Sequence, residues 1–499
     1  MRRLRIMSSM SSGFRWGRIL SIGLILVVDA AMASAAERAL SLHPENPHYF
    51  LFRGKPTIII TSGEHYGAVL NLDFDYKKYL RTLAVDGLNS TRTWAGAYCE
   101  PPSAFNIASN TLAPLRDRFI CPWARSGQTG YANGGNKFDL TKWDEAYSKR
   151  LRDFMVQAGK RGVIVELNMF CPFYEESMWK LSPMNAANNV NGVGAVTRTN
   201  VYTLDKNGGL LAFQEAMVRK LVRELKDFDN LYYEICNEPY FGGVTLEWQR
   251  HIADVIAQTE KEFRVKHLIS QNIANGKAKV ASPHPEVSIF NFHYAAPPET
   301  VAMNYGLNKV IGDNETGFRG TNDAPYRMEA WDFIVAGGGL FNHLDYSFVA
   351  GQEDGTFVYP ASQPGGGNPV LRRQFRFLRD VMSKFDYLHM QPGHDAIQGE
   401  LPRGATARAL IKPGQDYVVY VRTRAKKQEG GQCRHVSFAN RELSFGLTMP
   451  AGEFGVEWLD TKSGSRMGRE RLKHDGGSRK FFAPAFEDDI AVVVRRVGM

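Results

Sequence analysis

The chain has 499 residues, of which 43% are hydrophobic, 12% aromatic and 23% charged. This length and composition exclude a single small module and a largely disordered chain, and they are typical of a large globular domain with a smaller one attached. The net charge is +9, but five arginines and one aspartate of residues 1–35 account for part of it and leave +5 for the remainder. Because no run of five or six basic residues occurs, the sequence predicts no nucleic-acid partner.

Residues 1–35 have the pattern of a signal peptide. An arginine-bearing stretch is followed by the largely apolar run 19–28 and by small residues that end in Ala33-Ser34-Ala35. A membrane anchor is the alternative, but the apolar run is about half as long as a bilayer-spanning helix. We therefore expect a secreted or periplasmic protein with no membrane span in the mature chain.

Five cysteines occur, at positions that match no zinc-binding spacing and form no Cys-x-x-Cys motif. They are Cys99, Cys121, Cys171, Cys236 and Cys433. The sequence therefore predicts no metal site and no required cofactor. In an oxidising compartment, Cys99 and Cys121 are the pair expected to form a disulfide, because they share one apparent loop.

Eight short apolar runs rich in β-forming residues alternate with amphipathic helical stretches. This alternation is typical of β/α units around a parallel sheet, and eight strands close a barrel. We therefore predict a (β/α)8 TIM barrel over residues 36–392. The eight runs are 56–62, 88–94, 163–170, 231–236, 267–272, 287–294, 309–314 and 340–348.

From about residue 393 the pattern changes to short strands separated by glycine and proline turns. Such a pattern predicts a small all-β sandwich over residues 393–499. Within the barrel, two connections are unusually long, 95–141 and 171–209. Both follow the carboxyl ends of predicted strands, where β/α barrels build their active sites.

The fourth run ends in Asn237-Glu238-Pro239. A fourth barrel strand that ends in this motif resembles the clan A retaining glycoside hydrolases, which include the family 5 cellulases and mannanases. The resemblance implies that Glu238 is the general acid/base and that Asn237 hydrogen-bonds the sugar 2-hydroxyl. It also implies a carbohydrate substrate.

A retaining glycosidase needs a second carboxylate about 5 to 5.5 Å from the first. The seventh run ends in Asp313-Asn314-Glu315, and the resemblance places the nucleophile at the end of strand seven, hence Glu315. Asp313 is the rival, because residues two apart share a strand face. The longer glutamate side chain reaches farther toward the mouth, which favours Glu315.

Two further strand ends offer polar groups. Arg92 at the second strand is expected to hold the nucleophile ionised, as in the family 5 pattern, although pairing with a buried acid such as Glu234 is the alternative. His293 and Tyr294 end the sixth run, where clan members often place a His and a Tyr. Adjacent strand residues face opposite ways, so both point inward only if a bulge intervenes.

The remaining candidates are weaker. Trp94 is a possible stacking platform for a sugar, and Asn168 a possible sugar contact, whereas Glu166 is expected to be a satisfied core acid. Trp123 and Trp179 fit a platform and a loop core equally well. Strand eight lacks the tryptophan that is usual in the clan. Further candidates of the same kind are His65, Asp345 and Tyr346.

These features together predict a retaining β-glycoside hydrolase that works by double displacement. Glu238 would protonate the departing oxygen while Glu315 attacks, and repulsion between the two carboxyls is expected to raise the pKa of Glu238. A barrel that binds carbohydrate without catalysis is the alternative from another functional class. An inverting hydrolase is a third, and it predicts carboxyl groups about 6.5 to 9.5 Å apart.

Overall fold

The computed structural model describes residues 39–423 and 437–498, together with the backbone of 426–427 and 433–434. The predicted signal peptide therefore lies outside the described residues, as does the Cys433 side chain. Within the described ranges, no helix is both long and apolar enough to cross a bilayer.

The larger part of the chain is an eight-stranded parallel sheet surrounded by helices, which confirms the predicted barrel. Its strands pair in the order β1-β8-β7-β6-β5-β4-β3-β2. In chain order, β1 to β8 are Ile59–Gly63, Ser90–Trp94, Ile164–Phe170, Leu231–Cys236, Leu268–Asn275, Val287–His293, Val310–Thr316 and Leu340–Leu344. The main helices, α1 to α7, are Tyr76–Val85, Glu145–Lys160, Leu211–Leu225, Leu246–Glu260, Glu299–Asn304, Asp323–Val335 and Pro369–Met382.

Side chains close the barrel between β1 and β2. The amide of Asn89 accepts from the Ile60 N–H at 3.1 Å and donates to the Ile58 carbonyl at 2.8 Å. The Thr61 hydroxyl donates to the Ser90 carbonyl at 2.5 Å. These bonds satisfy backbone groups at the seam between the two strands.

The amino-terminal end of the barrel has an apolar floor. A small antiparallel sheet of Ser41–Leu42, Phe50–Phe52 and Lys55–Thr57 contributes Phe50 and Phe52 to a cluster with strand residues such as Ile59 and Ile164. The first barrel strand therefore begins at Ile59 and not at the predicted residue 56, because residues 55–57 belong to this separate sheet. A packed floor leaves the carboxyl end as the open end of the barrel.

The local sequence of helix α7 determines where the helix begins and which side of it is buried. Asn368 caps its start by accepting from the N–H groups of Val370 and Leu371, and Pro369 occupies the first turn. The buried stripe Leu371, Phe375, Leu378 and Met382 recurs at helical spacing.

The carboxyl-terminal part is all-β, as predicted. A six-stranded sheet pairs in the order 391–392, 405–412, 416–423, 489–496, 452–459 and 466–474, and a three-stranded sheet in the order 397–398, 444–449 and 477–482. Inward-facing residues of both sheets, such as Val419, Phe445 and Val492, share one core. The remaining short pairs are 426–427 with 433–434, 437–438 with 486–487, and, in the barrel, 123–129 with 136–143.

Buried ion pairs join the sandwich to helix α6. Arg327 donates to Asp489 at 2.6 Å, and Arg408 and Arg422 each pair with Asp332 at 2.6 to 2.7 Å. The apolar and charged residues of α6 are buried together because the barrel covers one side and the sandwich the other.

Candidate active site

A cavity of about 270 Å³ opens at the carboxyl ends of the barrel strands. Its walls combine three carboxylates with a large number of aromatic rings, a composition typical of small-molecule sites. Both predicted catalytic residues lie in it. Its lining residues are His65, Tyr66, Trp94, Glu100, Phe105, Tyr174, Asn237, Glu238, Phe241, Asn275, Tyr294, Glu315 and Phe318.

Glu238 and Glu315 meet across this cavity, although 77 positions separate them in the chain. An oxygen of each carboxyl and a ring nitrogen of His293 all lie within 4.8 Å of one another. His293 Nδ1 is 3.2 Å from Glu238 Oε1 and 3.5 Å from Glu315 Oε1. The two carboxylates are therefore close enough to act on the same bond.

Glu315 is held from several sides by fixed donors. Arg92 donates to Oε2 at 3.1 Å, and the hydroxyls of Tyr66 and Tyr294 donate to Oε2 and Oε1 at 2.9 and 2.8 Å. A guanidinium is always charged, so this carboxyl faces a permanent cation. These donors hold both carboxylate oxygens in place at the cavity wall.

Arg92 is buried beneath the cavity and pairs with more than one acid. Besides Glu315, it donates to Glu166 at 2.8 Å, to Glu234, and to the Asn237 side chain at 2.7 Å. Arg92 thus pairs both with the predicted nucleophile Glu315 and with the buried acid Glu234, which were the two alternatives. Burial and the charge of Glu234 raise the pKa of Glu166 to about 8 against the opposing charge of Arg92, as expected for a core acid.

Glu238 has no permanent cation among its direct partners. Tyr174 donates to Oε2 at 2.6 Å, and the Tyr240 hydroxyl lies 3.2 Å from Oε1. Burial raises the pKa of Glu238, but the hydrogen bond and charge of His293 and the Tyr174 hydroxyl outweigh burial and lower it overall. The expected rise in this pKa is therefore wrong for the unliganded site, because donors face the carboxylate.

A β-bulge decides which residues of β7 enter the site. Phe292 pairs with Asp313, but His293 pairs with Glu315, so Asn314 is an extra residue. Asn314 consequently reaches the barrel interior, where it donates to Glu166 and Glu234 at 2.8 Å. Asp313 instead accepts from the Ala295 N–H, and its pKa is raised by burial and by Glu329 of α6. It lies on the other side of the strand from Glu315 and is absent from the cavity lining.

Four cavity residues that are not glycine have left-handed backbone conformations. They are Tyr66, Phe105, Glu238 and Tyr294, with φ angles of 61°, 53°, 34° and 54°. Tyr294 follows the last residue of β6, and its positive φ allows it to reach Glu315 beside His293. Such conformations are costly and concentrate at functional sites.

The other predicted site residues lie at different depths. Trp94 and Asn237 line the cavity, and so does His65, whose pKa is lowered by burial but raised overall by Glu100, Glu315 and Glu64. Asn168 is only 1% exposed, its amide has no hydrogen-bond partner among the described residues, and it does not line the cavity. The structure therefore does not place it where it would touch a sugar.

Strand eight ends before the two candidates that were assigned to it. Tyr346 is buried behind the lining, with its ring 6.0 Å from His65 and 6.1 Å from Phe318. Asp345 is buried and accepts from Arg372 at 2.8 Å, so its role is structural. Trp123 and Trp179 are loop-core residues and not platforms, since both are buried away from the cavity.

Most of the site residues that the sequence pattern did not indicate come from loops, whereas Asn275 ends β5, three residues beyond the end predicted for that strand. The missed residues are Tyr66, Glu100, Phe105, Tyr174, Tyr240, Phe241, Asn275 and Phe318. The two long connections were the available signal, since Glu100 and Phe105 lie in one and Tyr174 in the other.

The expected disulfide between Cys99 and Cys121 is wrong, because both are free buried thiols.

Glu238, His293 and Glu315 are also a group of described residues that could hold a divalent cation. Their other partners fit a metal poorly. Arg92 lies 3.1 Å from Glu315, and tyrosine hydroxyls donate to both carboxylates. A cation placed here would be repelled by the guanidinium and would have to displace these donors.

No protein-family model matches the chain, and a search of curated proteins found no match. Solved structures do match. A glycoside hydrolase is 14% identical with a TM-score of 0.60, over 92% of this chain and 97% of its own. A putative glycoside hydrolase from Bacteroides vulgatus is 12% identical with a TM-score of 0.62, over 93% of this chain and 83% of its own. A family 5 glycoside hydrolase from the same organism is 14% identical with a TM-score of 0.60, over 92% of this chain and 93% of its own. These likenesses show that the chain has the fold of these glycoside hydrolases, barrel and β-sandwich together.

Proposed function

We propose that this protein is a retaining β-glycoside hydrolase. The observation that carries the proposal is the pair Glu238 and Glu315, whose oxygens approach within 4.8 Å beside His293. Retaining enzymes place their carboxyl groups about 5 to 5.5 Å apart, whereas inverting enzymes need about 6.5 to 9.5 Å to admit a water molecule. The 4.8 Å approach joins one oxygen of each carboxyl and supports the retaining arrangement, which the anomeric configuration of the product tests.

The surroundings of each carboxyl suggest its role. Glu315, beside Arg92, attacks the anomeric carbon and forms a covalent glycosyl-enzyme. Glu238 donates its proton to the departing oxygen and then removes a proton from the water that hydrolyses the intermediate. As the ester forms, Glu315 loses its negative charge and no longer repels an ionised Glu238. The pKa of Glu238 then falls, so the ionised carboxylate can act as base on the attacking water.

Sugar recognition is assigned to the polar and aromatic lining. Asn237 is held by Arg92 at 2.7 Å and by Tyr174 at 2.8 Å, which leaves its amide at the cavity wall beside Glu238. Trp94 stacks on Tyr66 at 5.2 Å and offers an apolar surface for a sugar face. We also propose export, on the signal-peptide pattern of residues 1–35.

The test is hydrolysis of a panel of para-nitrophenyl β-glycosides, with the anomeric configuration of the first product followed by NMR. The proposal expects turnover and a β product. An α product would establish an inverting enzyme instead. No turnover on the panel, together with intact sugar binding by calorimetry, would establish the non-catalytic carbohydrate-binding barrel.

A further inference from the structure

Phe105 lies over the mouth of the cavity and connects its two sides. Its ring centroid is 5.3 Å from that of Tyr174, in the loop after β3, and 6.1 Å from that of Phe318, in the loop after β7. Strands β3 and β7 are four positions apart in the eight-stranded ring and therefore stand opposite each other. The ring of Phe105 thus spans the barrel mouth.

The segment that carries Phe105 is joined to the loop after β8. Asn106 donates to the Ser362 carbonyl, and the Gln363 side chain accepts from the Ala108 N–H, both at 2.9 Å. The β8 loop also contacts the β7 loop so closely that a Cβ at Gly365 would lie 1.6 Å from the Gly317 carbonyl oxygen. The loops after β2, β7 and β8 therefore form a continuous wall on one side of the mouth.

The backbone at Phe105 is strained. Its φ is 53°, and Asn106 and Ser109 are also left-handed at 58° and 54°. Such conformations are costly for residues other than glycine and persist only where the surroundings impose them. The residue is nevertheless 39% exposed, so a large part of its apolar surface faces the open mouth.

The wall stands over the Glu315 side of the cavity, and the Phe105 ring reaches from it to Tyr174, which donates to Glu238. The departing oxygen must lie next to Glu238, so the leaving group extends over the ends of β4 and β5, beside Tyr240, Phe241 and Asn275. Tyr240 and Phe241 are exposed there, and they follow β4, outside the three loops that form the wall. The sugar attacked by Glu315 then lies against the walled side, in a cavity of only about 270 Å³.

We propose that Phe105 closes the glycone side of the cavity, so that the enzyme removes single sugars from the non-reducing ends of its substrates. The proposal rests on the proposed function and adds its substrate class: terminal β-glycosides with one sugar on the glycone side and an extended aglycone.

The experiment uses para-nitrophenyl β-disaccharides and identifies the first product by chromatography. The wild-type enzyme is expected to release the terminal monosaccharide first, leaving a para-nitrophenyl monosaccharide. Phe105→Gly removes the ring in a residue that tolerates a φ of 53°, and it is expected to increase release of the intact disaccharide at least tenfold relative to the monosaccharide. Phe105→Asn is a second variant, since asparagine also tolerates this conformation.

Ser109→Gly is the matched control, because it relieves strain in the same segment but leaves the ring in place. It is expected to keep the wild-type product ratio. Intact disaccharide as the first wild-type product, or an unchanged ratio in both Phe105 variants, would overturn the proposal while the hydrolase function stood. Absence of turnover on every glycoside would refute the hydrolase function and this proposal with it.

Discussion

The two sides of the cavity hold their carboxylates by different means. On one side, Glu315 accepts from a buried guanidinium and two tyrosines. On the other, Glu238 is contacted by a histidine and by neutral hydroxyls, with no permanent cation. A nucleophile must stay ionised throughout its attack, whereas an acid/base must exchange a proton in every cycle. The difference in partners therefore matches the difference in proposed roles.

Replacing each carboxylate with alanine is expected to have the largest effect on activity and to separate the two proposed roles. Glu315→Ala is expected to reduce kcat by on the order of 10⁵-fold, since no covalent intermediate forms without the nucleophile. Glu238→Ala is expected to cost about 10²- to 10⁴-fold, and less for aryl substrates whose leaving group needs little protonation. Steady-state kinetics on aryl glycosides of graded leaving-group pKa measures both effects.

Azide separates the two roles. It is expected to restore part of the Glu315→Ala activity by occupying the space of the missing carboxylate and forming a glycosyl azide. Asp313→Ala is the control and should remain active, because Asp313 lies outside the cavity. An active Glu315→Ala variant together with an inactive Asp313→Ala variant would transfer the nucleophile to Asp313.

Replacing Arg92, the cation beneath Glu315, tests how much this ion-pair network contributes to the free energy of unfolding. Arg92→Met leaves Glu166 and Glu234 buried without their guanidinium partner and is expected to lower the free energy of unfolding by about 3 to 5 kcal/mol. The control is Arg116→Met, since the Arg116 side chain is 80% exposed and its ion pair contributes little. Denaturant unfolding of both variants measures the contrast, and equal stabilities would contradict it.

On the Glu238 side the expected effect is a change in pH dependence. His293 donates to the Glu238 carboxylate and so lowers its pKa. The acid step requires protonated Glu238, so kcat/KM declines at alkaline pH as Glu238 loses its proton. A lowered pKa of Glu238 places this alkaline limb at a lower pH. His293→Ala raises this pKa and is expected to move the alkaline limb to higher pH.

Tyr346→Phe is the control for the pH profile, because the Tyr346 hydroxyl has no hydrogen-bond partner among the described residues. It should leave both limbs in place. An alkaline limb in His293→Ala that stays fixed or moves to lower pH would show that another group governs proton donation.

The smallest expected effect comes from removing metal. If Glu238, His293 and Glu315 act as acid, positioning group and nucleophile, dialysis against EDTA leaves kcat/KM unchanged. A loss of activity that Zn²⁺ or another divalent cation restores would reassign the three residues as ligands and remove the distinction between the two sides.

Local sequence patterns were sufficient for much of the fold and for the two central residues. The apolar runs predicted eight strands, and the amphipathic stretches between them predicted helices, because burial of one face imposes a period on the chain. Glu238 and Glu315 were found because they end strands four and seven, and all strands of a parallel barrel present their carboxyl ends to one mouth.

The tertiary structure decided the rest. The bulge at Asn314 turns Asp313 away and brings both Asn314 and Glu315 inward, which a strict two-residue period does not anticipate. The partners of the carboxylates come from Tyr66 and Tyr174, and the wall comes from Phe105, all on irregular segments whose course depends on packing against other loops. Periodicity records which residues are buried within one element, but only the assembled chain determines which side chains from different elements meet.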